Sequence, residues 1–171
     1  MYNFTPTNNK TNSIPFYENA TAAYAPYYSS QKTAEEAKAE IVVNLGKLGA
    51  SVMQFQEGIF SEADNKRYGY QILYNLQGTN GIIRVSGLPM KKETTRKIER
   101  VRVQALLNVR DWLKASVTQV VFSPGANPLL MTLLVDGDRT LADAIIQSGK
   151  LLPDSISNDP IEGNFQINER K

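Results

Sequence analysis

Between residues 93 and 120 the chain carries an unbroken helical pattern, and that one stretch constrains everything around it. Ile98, Val101, Ala105, Val109, Trp112, Leu113, Ser116 and Val120 fall on one stripe at about 100° per residue. An apolar stripe of that length must be buried against another layer of structure. The segments before it supply one. Residues 67–76 alternate, with Tyr68, Tyr70, Ile72, Tyr74 and Leu76 on one face and Arg67, Gly69, Gln71 and Asn75 on the other. Residues 52–60 place Met53, Phe55 and Ile59 on one side and Gln54, Gln56 and Gly58 on the other, and 61–65 is a turn. Gly78-Thr79-Asn80-Gly81 carries the Asn-Gly signal of a type I′ hairpin, after which 82–88 forms a third strand ending at Pro89. Three such strands make an antiparallel meander, which needs a helix across its apolar face.

A second helix precedes the meander. Thr33 and Glu36 have capping-box spacing, and Ile41, Val42, Leu45 and Leu48 recur at helical spacing before Gly49. The expected helix covers 34–48, with Glu35, Glu36 and Glu40 toward its favoured N-terminal half. Beyond the long helix, residues 123–128 are a breaker-dense loop and 129–135 a short strand or helical turn. Asp136-Gly137-Asp138 is a turn, and Thr140 opens a short helix over 141–148 with Asp143 at its third position. The expected fold is therefore α+β: a helix, a three-stranded antiparallel meander, a long amphipathic basic helix and a short helical cap, forming one domain over 33–150. Residues 1–32, rich in Asn, Thr, Ser, Pro and Tyr, and residues 151–171 are expected to be disordered tails. Tyr2, Tyr17, Tyr24, Tyr27 and Tyr28 are unusual in a solvating tail and point to docking on protein or stacking on bases.

The chain contains neither Cys nor His. That removes disulfides, thiol nucleophiles, imidazole bases and Cys/His zinc sites. No phosphate-binding loop, GxSxG elbow or GxGxxG fingerprint is present. Asp136, Asp138 and Asp143 could gather at a divalent metal, but ordinary turn and helix-start chemistry accounts for them. The expectation is a non-enzymatic protein with no cofactor and no metal. The first residues lack a charged segment followed by an apolar run, and no stretch reaches the ~18 apolar residues of a membrane span. A soluble, cytoplasmic protein with no membrane contact is expected, and the Asn-x-Ser/Thr triplets at Asn3, Asn9 and Asn19 are read as chance.

The net charge of +2 conceals a division along the chain. Residues 91–120 carry eight cations against three anions, a net of +5, while residues 121–171 carry four against seven, a net of −3. On the long helix Lys92, Arg96, Arg100, Arg110 and Lys114 lie within about a quarter turn of one another, away from the apolar stripe. Arg102 points toward the stripe and is expected to bury its stem and reach a carboxylate. Cations held in one row can follow a phosphate backbone.

Residues 37–146 resemble a group of small, functionally uncharacterised phage and prophage proteins. The likeness rests on Leu45-Gly46-Lys47-Leu48-Gly49-Ala50, on Gln104-Ala105-Leu106 through Val109 to Leu113, and on Asp138-Arg139-Thr140-Leu141. An acidic run that follows the basic helix in that group is replaced here by Pro124-Gly125-Ala126-Asn127-Pro128. The resemblance implies the same order of elements. That order also occurs in phage strand-annealing proteins and, with the leading helix, in double-stranded RNA-binding domains, an analogy of topology that does not fix function. The expected role is a nucleic-acid-binding accessory protein of a phage or other mobile element. Its binding residues would be Lys92, Arg96, Arg100, Arg110 and Lys114, and single-stranded DNA its favoured partner, bound as a monomer or homo-oligomer. The alternative is a protein-interaction or counter-defence factor that engages an acidic protein partner.

Overall fold

The computed structural model describes residues 14–20, 30–62, 65–123, 125 and 127–148. Its elements run α1 (Ala34–Lys47), β1 (Ala50–Glu62), β2 (Asn65–Leu76), β3 (Thr79–Ser86), α2 (Thr95–Phe122), β4 (Leu134–Asp136), β5 (Arg139–Thr140) and α3 (Leu141–Gln147). This is the expected α+β architecture. β1, β2 and β3 form one antiparallel sheet in that order, and β4 and β5 a small second one.

Each helix starts where the sequence supplies a cap. Thr33 accepts from the Glu36 N–H at 3.2 Å while Glu36 accepts from the Thr33 N–H at 2.8 Å, a reciprocal capping box. Thr140 and Asp143 repeat it at α3, with bonds of 3.2 and 3.0 Å. Thr94 caps α2 through the Lys97 N–H at 3.3 Å, so that helix begins and ends two residues later than the pattern suggests.

The direction of the chain reverses at each connection from α1 through the meander to α2, so the two long helices run parallel. Both cover the same face of the sheet. That face carries Tyr70, Ile72, Tyr74 and Leu76 of β2, which join Ile41 and Leu45 of α1, Leu106, Leu107 and Leu113 of α2, and Leu129 in one core. The register places Ser51, Gln54, Gln56, Gln71, Asn75, Asn80 and Arg84 on the outer face.

Two local expectations are corrected. The β2–β3 reversal is at Gln77-Gly78, both with positive φ (50° and 88°), rather than at Asn80-Gly81. Asn75 holds that turn by accepting from the Gly78 N–H at 2.9 Å. Gly81 instead lies within β3, opposite Tyr74, where an added Cβ would stand 2.2 Å from the ring. In β1 the register slips between Val52 and Gln54, so Met53 is the bulged residue and is 58% exposed, whereas Val52 and Phe55 pack on the core. The segment 129–135 is both things expected of it in turn: a 3-10 turn at Pro128–Thr132, then β4. The Tyr74 hydroxyl donates to the Leu129 carbonyl of that turn at 2.9 Å, tying the cap to the sheet.

Within the N-terminal segment expected to be a disordered tail, the described residues are 14–20 and 30–32, and the first of these stretches is docked on the domain. Tyr17–Asn19 forms a 3-10 turn whose Tyr17 N–H donates to the Pro89 carbonyl at 2.8 Å. Tyr2, Tyr24, Tyr27 and Tyr28, and the tail expected over 151–171, lie outside the described residues.

Candidate nucleic-acid interface

The cations of α2 share a sector of the helix with two apolar residues, Val103 and Leu107. Leu107 is fully buried and Val103 partly so, because α1 packs along this side of α2. The face expected to meet solvent is therefore a second buried face, and α2 is enclosed by the sheet on one side and α1 on the other. The basic residues survive at the margins of that contact, where they line two open clefts.

The first cleft, of about 560 Å³, lies between α1 and the C-terminal half of α2 and is lined by Lys32, Glu40, Asn44, Arg110, Asp111 and Lys114, among others. Arg110 is already engaged, with Nη1 3.3 Å from Glu40 Oε2 and Nε 2.6 Å from Asp111 Oδ1. Lys32 also pairs with Glu40. The Lys32 ammonium and the Arg110 guanidinium hold the Glu40 carboxyl below its usual range. Lys114 is exposed, and no ion pair to it is seen among the described residues.

The second cleft, of about 500 Å³, opens at the start of α1. Lys32, Arg96, Arg100 and Arg102 line it together with Glu57, Glu99 and Tyr70. Arg102 behaves as its position on the wheel suggests: its stem is largely buried and its Nη1 meets Glu57 Oε2 at 2.7 Å. The Tyr70 hydroxyl donates to the same carboxylate at 3.0 Å, and burial first, then that carboxylate, pushes its pKa up to about 12. Arg100 donates to the Ser30 carbonyl, and no ion pair to it is seen among the described residues. Arg96 is exposed at the mouth of the cleft.

Lys92 stands apart from both clefts, in the loop ahead of α2. There the Glu18 carboxylate accepts from the Lys91 N–H at 3.0 Å, the Lys92 N–H at 3.2 Å and Lys97 Nζ at 2.7 Å. These bonds, that from the Lys91 N–H largest, hold its pKa at about 2. Lys91 Nζ sits 5.6 Å from the centre of the Phe16 ring and 3.4 Å from Asn19 Oδ1. The Lys92 side chain is exposed.

Of the five residues expected to bind, the structure thus brings Arg96 with Arg100 and Arg110 with Lys114, separates the pairs by the α1 contact, and leaves Lys92 at the end of the row. Lys91 and Lys97, counted in the basic segment but not in the expected binding row, and Lys32 belong to the same basic surface. Lys32 precedes a capping box, so its place over the seam follows only from the parallel packing of α1. Nothing in the local pattern of Glu18 marks it as the partner of residues more than 70 positions away.

The carboxylates once weighed as a metal set are spent elsewhere. Asp143 completes the α3 capping box and stands 3.4 Å from Arg84 Nη1, Asp138 stands 3.8 Å from Arg84, and Asp136 pairs with Arg139 at 3.4 Å. No cluster of three acidic side chains placed to hold a metal occurs among the described residues. No described helix is long and apolar enough to cross a membrane.

Fold and surface together define a small α+β protein with two helices on one face of a three-stranded sheet and a basic seam along them. No protein-family model, curated protein or solved structure matches the chain.

Proposed function

We propose that this protein binds the phosphate backbone of nucleic acid along the α1–α2 seam, as an accessory protein of a phage or other mobile element. The observation that carries the reading is that Arg96, Arg100 and Lys114 lie on one side of a single helix and form no ion pair among the described residues. From Arg96 to Lys114 is about 27 Å at ~1.5 Å per residue. That length matches about eight nucleotides of one duplex strand at ~3.4 Å each. The aromatic side chains of β2 are buried beneath the helices, so base stacking on the sheet contributes nothing and the contacts are electrostatic. Binding of this kind has little sequence preference and a steep salt dependence. Four cations, Lys92, Arg96, Arg100 and Lys114, give a log–log salt slope of about −3 on single-stranded DNA and about −4 on duplex, at ~0.7 and ~0.9 per phosphate. Fluorescence anisotropy with labelled single-stranded and duplex DNA of equal length, from about 50 to 200 mM salt, tests this. Absence of binding to both at the low-salt end overturns it.

The second reading is a protein partner with an acidic surface. It draws on Val121 and Phe122, which are 72% and 82% exposed at the end of α2 beyond the reach of α1. An apolar end beside a basic seam suits an acidic, partly apolar protein surface.

A further inference from the structure

The Glu18 contact has the geometry of anion recognition. Two successive backbone N–H groups, Lys91 and Lys92, and the Lys97 ammonium converge on one carboxylate at 3.0, 3.2 and 2.7 Å. Consecutive amides aimed at a common point, with a lysine beside them, recognise a phosphate oxyanion as readily as a carboxylate. We propose that this cradle is a phosphate-binding site that the chain keeps filled with its own Glu18, so that an incoming phosphate must displace the 14–20 segment.

Several features support displacement rather than a purely structural tie. Tyr17–Asn19 is a three-residue turn with no buried side chain of its own. Beside the carboxylate, the segment is held by the Tyr17 N–H to Pro89 bond, the Asn19 contact and the Phe16 ring over Lys91, and Ala20 at its end is buried. All of them lie on the loop just ahead of α2. The cradle adjoins Lys92 and lies within a turn of Arg96, so a backbone following the row would reach it next. Ser30 covers the neighbouring Arg100 with its carbonyl. The N-terminal region thus occupies the two donor sets at the start of α2 that the seam would otherwise present to a ligand.

The cradle takes phosphate in general, whereas its use by a nucleic-acid backbone rests on the function proposed above. The test is an amide-resolved NMR titration of the full chain, wild type and Glu18→Ala, with inorganic phosphate, beside oligonucleotide binding by both. In Glu18→Ala, phosphate should shift the Lys91 and Lys92 amides saturably, and adding Lys97→Ala should abolish the shift. The wild type should show no saturable shift over the same range. Glu18→Gln, which keeps the side-chain shape and removes the charge, should respond to phosphate as Glu18→Ala does. For single-stranded DNA, Glu18→Ala should bind more tightly than wild type, with a salt slope steeper by about 0.7 as one more phosphate is contacted. Amides that do not move with phosphate in either variant overturn the cradle, even if both proteins bind DNA equally well. A saturable phosphate shift with no DNA binding by any form supports the cradle and overturns the nucleic-acid reading alone.

Discussion

Arg110 meets Glu40 across the seam of two parallel helices, Nη1 to Oε2 at 3.3 Å, and turns its Nε to Asp111 at 2.6 Å. The fourth of the five cations in the expected binding row is therefore neutralised by its own chain and only 14% exposed at its side chain. Arg110→Ala should lower stability by about 1–3 kcal/mol, since it strips a partner from Glu40 and Asp111. It should scarcely change the salt slope of DNA binding. Arg96→Ala and Lys114→Ala should behave oppositely, with stability within about 0.5 kcal/mol of wild type and a slope smaller by about 0.7 each on single-stranded DNA. Urea melts paired with anisotropy titrations of the three variants separate the two behaviours.

Leu107 lies inside the basic sector and is fully buried against α1. Leu107→Ala should cost about 2–5 kcal/mol, the range for a large-to-small change in a close-packed core. A solvated basic face would predict a change near zero, so the same urea melt also checks the orientation of α2.

Tyr74 and Gly81 face each other across β2 and β3, with no room for a methyl group between ring and backbone. Gly81→Ala should destabilise by about 1–3 kcal/mol through overpacking. Tyr74→Phe should cost less, about 1 kcal/mol, because the Thr132 hydroxyl still donates to the Leu129 carbonyl at 3.0 Å when the tyrosine bond is lost.

The Glu18 carboxyl is held at about 2, against an ordinary value of 4.5. A depressed folded-state pKa contributes stability that is complete above the unfolded value and is lost as pH falls through the folded one. Docking of 14–20 should therefore be complete above about pH 4.5 and released near pH 2. The Lys91 and Lys92 amide shifts report it directly, with a midpoint near 2 rather than 4.5.

Elements whose signals are local were legible in the sequence. The Thr33–Glu36 capping box, the start of α3 at Thr140, the alternating face of β2, the sense of the meander and the buried stem of Arg102 follow from spacing alone. The bulge at Met53 was not, because one inserted residue leaves the flanking alternation looking intact while exchanging its faces. The Asn80-Gly81 signal lies three residues beyond the turn because it has the stronger turn composition, whereas Gln77-Gly78 is where pairing closes. The basic row was legible as a row but not as a surface. Val103 and Leu107 interrupt it, and only the return of α1, parallel to α2 after four reversals, determines that this side is covered. Glu18 on the loop before α2 is a long-range contact from a segment with no period, which no local pattern encodes.

Binding of nucleic-acid phosphates by the exposed cations along the α1–α2 seam is what the proposed function requires. Its most direct measurement is the salt dependence of single-stranded DNA affinity for wild type and for Arg96→Ala/Lys114→Ala. The wild-type log–log slope should be about −3, reduced to about −1.5 in the double variant with unchanged thermal stability. A wild type that does not bind at about 50 mM salt, or a slope that the double substitution leaves unchanged, contradicts it.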